Sequence, residues 1–449
     1  MVRVITQETF DDVVKENMEE FDMSPEEAVQ EAVQQFEAQG VDLSNIVKEA
    51  VMDSIPGASR NELTATINNL SELIKKSPRQ DDTIIEELLT VKEECNKSIA
   101  HKVFAAKIGT YNVLLDILEM CQSSNDIANA ALSAMIALMA GHPDLLNERG
   151  IQIIISYLDN VNDECIQKKV LEWTKECCIK HEQNRQDIFA MKILTRLKVL
   201  LHQDAPPGIV RGVCGVARAL VLDDDIRVQF GKSHDHARAL AEEILCTLTD
   251  LLKKFHGDKD TVCDVILTLT ALIVRNEFCQ IVEEAGGLTF IMDVMVHYPD
   301  SEKLNRLCLK LVKGLAGNDN VKIKIIKHGI APFLISAMHR HEASAGLVGA
   351  GCTAMAALTL KCPTNAKVLY DDGAPEVILQ GMKIHLNDSS VQKQGSWAIR
   401  NIVSRDKSLV TGFLKLEAEE ILKCAIKIHG NKCEFDAKAA LRDLGIDVE

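Results

Sequence analysis

A spacing of 41–44 residues, held across most of the chain, limits what this sequence can fold into more than any other feature. Gly286, Gly329 and Gly373 each close one apolar helical run and open another, in EEAGGLTFIMDVM, IKHGIAPFLISAM and YDDGAPEVILQGM, at intervals of 43 and 44. One step later the frame falls on Glu417, which sets Met382-Lys383-Ile384-His385 against Ile426-Lys427-Ile428-His429. Upstream, Gly109 and Gly150 lie 41 apart, and Lys192 follows 42 residues after Gly150. From Lys192 to Gly286 is 94, two repeats with a few residues to spare, which the polar stretch Gly231-Lys232-Ser233-His234-Asp235-His236 is expected to loop out. Unrelated helices do not keep register in this way. The period predicts an all-α solenoid with three helices per unit, in which no unit buries its apolar faces alone and stacked units share one core. The frame glycines suit a left-handed turn. Asn276, Asn320 and Asn365, 8–10 residues ahead of them, suit helix caps or turns.

Composition agrees. A chain of 449 residues exceeds what one compact core holds, and 4% aromatics suits helical arrays packed with Leu, Ile, Val and Ala. The net charge of −16 is concentrated at the start, where residues 1–60 hold fourteen acids and four bases. Such a chain disfavours nucleic acid and acidic membrane surfaces as partners. No apolar run reaches the ~18 residues of a membrane span, and the opening MVRVITQETFDD has no secretory pattern. Fourteen cysteines without a CxxC pair fit a reducing compartment, so the expected location is the cytoplasm, with the nucleus as the second candidate.

The expected organisation is an acidic helical segment over residues 1–60 and a solenoid over residues 61–445. In the first, Phe10, Val13, Val14, Asn17, Met18 and Phe21 follow helical spacing. Ser24-Pro25-Glu26-Glu27 then opens a second helix that Gly40 ends. Ile55-Pro56-Gly57-Ala58 looks like a linker. These two helices are too small to fold alone, and the stripe Leu63, Ile67, Leu70 and Ile74 is the expected docking face.

No constellation for catalysis, metal or cofactor emerges. Gly231-Lys232-Ser233 ends like a phosphate-binding loop, but Ile226 stands where that motif needs glycine. His234 and His236, or His339 and His341, read as solvated loop histidines, since residues two apart on a helix do not face together. Cys177 and His181 have helical spacing but no further ligands. Asp223-Asp224-Asp225 reads as a solvated charge run.

Two stretches carry a resemblance. Val391-Gln392 with Trp397-Ala398-Ile399-Arg400-Asn401-Ile402, and Ile281-Val282-Glu283-Glu284-Ala285-Gly286-Gly287-Leu288, resemble the armadillo repeat. The whole chain, with its acidic opening, resembles the armadillo-repeat-containing protein six family. The resemblance implies a right-handed superhelix whose third helices line a concave groove. It implies that Trp397 and Asn401 grip an extended peptide there, the amide on its backbone and the indole on its side chains. The equivalent pairs elsewhere read Thr353/Ala357, Leu309/Lys313, Ile266/Thr270 and Trp173/Cys177, so the repeated Trp–Asn ladder of nuclear-import receptors is missing.

Charge then refines the expectation. In family members that bind basic peptides, the position four after the groove Asn is often acidic. Here it is Arg405, and after Ala357 it is Lys361. Lys313 occupies an Asn position itself, while Lys310, Lys393 and Arg400 share the same helices. Trp397, Asn401 and Arg405, at i, i+4 and i+8, should share one helical face. The expected function is a non-catalytic protein-binding scaffold or adaptor whose groove takes an acidic or phosphorylated extended segment. The alternative is a transport-receptor or chaperone-like carrier. The chain's own residues 8–31 are one conceivable occupant.

Overall fold

At the frame positions the backbone turns left-handed as the period requires. Gly109, Gly286, Gly329 and Gly373 have φ between +83° and +105°, and Lys192 and Glu417 adopt +58° and +66° despite their side chains. Gly150 is the exception: it sits in the first turn of a helix capped by the Asn147 side chain, because a single 3-10 turn at Pro143–Leu145 replaces the first helix of that repeat. The computed structural model describes residues 3–21, 23–43, 46–48, 55–76, 80–120, 124–225 and 227–447. It divides into two units, Met1–Ala237 and Arg238–Glu449.

The first unit begins with β1 (Arg3–Val4), parallel to β2 (Val41–Asp42), around α1 (Gln7–Glu20) and α2 (Pro25–Ala38). Ser24 and Glu27 form a reciprocal capping box that starts α2. These helices have their own core, in which Phe10, Val14, Ala28, Val29, Ala32 and Phe36 meet Val41, Leu43 and Ile46. Asn17, the polar member of the α1 stripe, is buried and donates to the Ala28 carbonyl (3.2 Å), whereas Phe21 is exposed. The repeats follow: α3 (Gly57–Leu73), α4 (Asp81–Lys97), α5 (Ile99–Lys107), α6 (Thr110–Met120), α7 (Asn125–Met139), α8 (Glu148–Asn160), α9 (Glu164–Cys178), α10 (Glu182–Ala190), α11 (Ile193–Leu200) and α12 (Pro207–Leu220).

Two expectations change here. Leu63, Ile67, Leu70 and Ile74 are buried in the packing of α3 on α4 and α6, so they are not left open for the acidic helices. The acidic segment instead meets α5, where Lys107 pairs with Asp11. Pro56 is the cap residue of α3 with Ile55 buried beside it, so the supposed linker is a helix start.

The division between units falls in α13 (Ser233–Lys254). The second unit continues with α14 (Lys259–Leu272), α15 (Asn276–Glu284), α16 (Gly287–His297), α17 (Glu302–Leu315), α18 (Asp319–Lys327), α19 (Ala331–Arg340), α20 (Ala345–Thr359), α21 (Pro363–Asp371), α22 (Ala374–Ile384), α23 (Ser389–Val403), α24 (Val410–Lys415), α25 (Ala418–His429) and α26 (Glu434–Asp443). Third helices stack on one another, α4 on α7, α9 and α12 in the first unit, and α14 on α17, α20, α23 and α26 in the second. Period and stacking together make the chain an all-α armadillo-type solenoid. Among the described residues no helix is long and apolar enough to cross a membrane.

Polar ties join successive repeats at the same period. Tyr298 Oη donates to the His256 carbonyl (2.8 Å). The Nε2 atoms of His341, His385 and His429 donate to the carbonyls of Pro299 (2.8 Å), Glu342 (2.7 Å) and Leu386 (2.9 Å). Each donor stands at the end of a second helix and reaches back 42 or 43 residues. Buried amides close the remaining turns. Gln392 donates to Met382 and His385, and Asn365 to Lys322 and Leu358. Asn365 is therefore a buried bridge rather than a cap; Asn318, not Asn320, caps α18, and Arg275 precedes Asn276 as the cap of α15.

Candidate functional site

The groove of the second unit is built on a helix that brings almost nothing to its surface. Helix α20 reads AGLVGAGCTAMAALT, and it lines the groove floor with Gly346, Thr353 and Ala350, the last 8% exposed. Side chains from both flanks lean over that floor. The Arg306 alkyl chain of α17 crosses Gly346, where a methyl group would stand 3.4 Å from Cδ. Gln394 of α23 crosses Gly349, where a methyl group would stand 2.1 Å from Oε1. The result is a depression of about 490 Å³ lined by Thr270 of α14, Arg306, Lys310 and Lys313 of α17, Gly346, Ala350 and Thr353 of α20, and Asp388 and Gln394 at α23. Lys310 and Lys313 are exposed, and among the described residues neither meets an acid; Arg306 Nε lies 3.0 Å from Glu302.

The other expected residues are placed differently. Lys393 and Arg400 sit on α23 but turn toward α26, at 4.0 Å from Asp436 and 3.6 Å from Asp443. Asn401 is 6% exposed, and its amide donates to the Ala356 carbonyl of α20 (2.9 Å), so that donor ties two repeats together. Trp397 is half-buried. Helix α23 ends at Val403, so Arg405 lies beyond it and does not continue the face of Trp397 and Asn401. Lys361 also lies past its helix, in a left-handed turn at φ +57°. Leu309 and Ile266, aligned with Trp397, are fully buried core residues, as is Trp173.

Arg306 and the bare α20 face were missed by sequence reasoning, whereas Thr270 was reached by its alignment with Asn401. The signal was available in the small residues of α20, which recur at helical spacing through 346, 350, 353 and 357.

The first unit holds the most perturbed charges. Arg185 of α10 is 1% exposed and donates to Glu182 (2.9 Å), Asp224 (2.7 Å) and the Cys178 carbonyl (2.8 Å). Arg227 donates to Asp144 (2.8 Å), Asp225 (2.8 Å) and the Lys180 carbonyl (2.9 Å). Asp225 also accepts the Glu182 backbone N–H (2.8 Å). Asp223-Asp224-Asp225 is therefore no solvated run: its last two carboxylates fasten the segment between α12 and α13. The hydrogen bond from His181, helped by Arg227 and opposed by burial, holds the Asp144 carboxyl well below the usual range. Burial pushes Asp225 up, but the bonds from Arg227 and the Glu182 backbone prevail and leave it lowered.

His236 lies inside α13, not in a loop. It is buried, stacked on Phe189 with ring centroids 4.1 Å apart, and its pKa is lowered by burial. His181 pairs with Asp144 (3.2 Å) and not with Cys177. Every carboxylate in this cluster already has partners, which makes it a structural fastening. Burial pushes the Cys95, Cys178 and Cys352 thiols up to about 12, far from a reactive thiolate. Among the described residues no three His, Cys, Asp or Glu side chains gather to hold a metal ion.

Comparison with known proteins adds to this geometry. The sequence profile described as ARMC6 matches residues 63–449, and the armadillo repeat-containing protein 6 N-terminal domain matches residues 2–83. The chain is 38% identical over 378 residues to armadillo repeat-containing protein 6 homolog of Drosophila melanogaster, covering 83% of this chain and 81% of that protein. It is 35% identical over 380 residues to the Homo sapiens armadillo repeat-containing protein 6, covering 81% and 75%. Among solved structures, an engineered protein superposes with a TM-score of 0.70 at 14% identity, covering 99% of this chain and all of that one. A structure from work on a phosphorylation switch in the interaction between cadherin and beta-catenin gives 0.63 at 13% identity, covering 84% and 68%.

Proposed function

The chain belongs to the armadillo repeat-containing protein 6 family, and on that basis we propose that it is a non-catalytic scaffold or adaptor. It holds an acidic or phosphorylated extended segment of a partner protein across the third helices of its second unit. The observation that carries this reading is the bare face of α20 beside three cations of α17. An extended backbone needs close approach, which the small side chains of Ala350 and Thr353 favour, and charge complementarity supplies attraction and register. In this reading half-buried Trp397 is the neighbouring groove residue on α23, while the Asn401 amide stays engaged with the Ala356 carbonyl. The acidic segment is, in this reading, a separate module from the repeats, which start with α3 at Gly57 rather than at residue 61. The protein works in the cytoplasm or nucleus, supported by thirteen free cysteines among the described residues.

Affinity capture from cell extract with wild type beside Ala350→Trp tests the proposal. The indole fills the groove floor without removing a charge. Partners lost from the variant, at an unchanged melting temperature, support groove binding. Partners retained equally by both place the binding surface elsewhere.

A further inference from the structure

We infer that the groove focuses its charge on one point of the ligand, and that the group received there is a phosphorylated side chain rather than a run of carboxylates. This rests on the groove-binding reading above.

Helices α14, α17, α20 and α23 stack in turn, and the depression is lined by residues of all four. A segment lying in it crosses each helix in succession. Packed helices stand roughly 8–10 Å apart and an extended chain advances about 3.3 Å per residue, so each helix serves about three ligand residues. All three groove cations stand on one helix. Arg306, Lys310 and Lys313 recur at i, i+4 and i+7 on α17, spanning about 10 Å along its axis, which runs across the ligand and not along it.

The neighbours do not share the load. Helix α20 contains no Lys or Arg. On α23, Lys393 and Arg400 face Asp436 and Asp443 of α26. Three positive charges therefore converge on the few residues lying over α17; Glu302 offsets one of them beside Arg306, and Asp388 lines the opposite flank at the start of α23. On α17 itself Lys310 and Lys313 meet no acid among the described residues, and their two charges match the roughly −1.5 to −2 of a phosphorylated side chain near neutral pH.

Adjacent carboxylates fit this arrangement poorly. Successive side chains of an extended segment point to opposite faces, so two neighbouring acids cannot both reach α17. Alternate acids reach it only about 6.6 Å apart along the chain. A phosphoryl group brings both charges and several acceptor oxygens on one side chain, and the small side chains of Ala350 and Thr353 keep the floor of the depression low beside Lys310 and Lys313.

Three immobilised degenerate peptide libraries, with a fixed central phosphoserine, serine or Asp-x-Asp, put the inference to the test with the full-length protein. Phosphoserine peptides should be retained at least about tenfold more tightly than either other library, the worth of one well-placed charge-assisted hydrogen bond. Lys310→Glu with Lys313→Glu should erase that preference. So should Ala350→Glu, which adds a carboxylate to the floor and leaves both lysines in place, with thermal melting confirming that each variant is folded. Equal retention of the Asp-x-Asp and phosphoserine libraries, both lost in the variants, overturns the phosphoryl assignment and leaves the acidic-groove reading standing. Retention of no library, or retention unaffected by either variant, overturns both.

Discussion

The two units solve the same stacking problem with a different balance of chemistry. In the second, the period is regular, and successive repeats are tied by hydroxyl and ring N–H groups donating to main-chain carbonyls: Tyr298, His341, His385 and His429. In the first, the period is disturbed twice, by the 3-10 turn at Pro143–Leu145 and by the long segment between Leu220 and Ser233. Tyr157 there still donates to the Leu118 carbonyl, but around the two disturbances the ties are ionic and partly buried, with Arg185 and Arg227 binding Glu182, Asp224, Asp225 and Asp144. A regular repeat brings backbone groups into the same relation each time, so one short donor per repeat suffices. An irregular one leaves gaps of individual shape, which long forked guanidinium groups fill by reaching several acceptors at once.

The largest effect should come from breaking that ionic fastening. Arg185→Met leaves Glu182 and Asp224 without their cation in a site that is 1% exposed at Arg185, and should cost about 3–5 kcal/mol. Urea denaturation with protease mapping checks it: cleavage should advance within residues 1–237 and not within 238–449. A loss below about 1 kcal/mol, or one shared evenly, would erase the contrast between the units.

Acidification should sharpen the same contrast. His101, His142 and His236 belong to the first unit, and burial lowers the pKa of each. Their folded state resists a proton that the unfolded chain accepts. Stability is therefore full above the unfolded value of about 6.5 and falls as pH drops from there toward the folded value. Asp144 and Asp225, with lowered pKa, contribute stability above about pH 4 and lose it only below. Hydrogen exchange between about pH 7 and pH 5, corrected for intrinsic rates, should show protection falling first around α5, the Pro143 turn and α13. Simultaneous loss in α17–α23 would contradict the assignment.

The smallest effect concerns one rung of the second unit. His385→Ala removes a single hydrogen bond to the Glu342 carbonyl and should cost about 0.5–1.5 kcal/mol, read as a shift in the urea midpoint at constant m-value. A cost as large as that of Arg185→Met would mean the rungs carry the stack.

Much of the fold is legible in the sequence because the period is a property of spacing alone. The frame Gly286, Gly329, Gly373 even located two left-handed residues, Lys192 and Glu417, where no glycine marks the turn. Errors came where a local pattern was read without its neighbours. Asp223-Asp224-Asp225 looks solvated until Arg185 and Arg227 arrive from elsewhere in the chain. The stripe of Leu63, Ile67, Leu70 and Ile74 looks available until α4 and α6 cover it. In the groove, counting in steps of four carried Arg405 past the end of its helix. The cations on α17 were visible in the sequence, but the emptiness of α20 beside them is defined by atoms that are absent.

The rungs of the second unit have a consequence for how such a chain can vary. Each histidine or tyrosine grips a main-chain oxygen, which every amino acid provides. The repeat that accepts the bond is therefore under no obligation to keep a particular side chain at that place, and a change there calls for no answering change in its neighbour. Repeats joined in this way are interchangeable parts: they can drift apart in sequence, be copied or be lost while the joint stays the same. The ionic joints of the first unit lack this freedom, since replacing Asp224 or Asp144 takes a carboxylate partner from Arg185 or Arg227, and a change on one side disturbs the other.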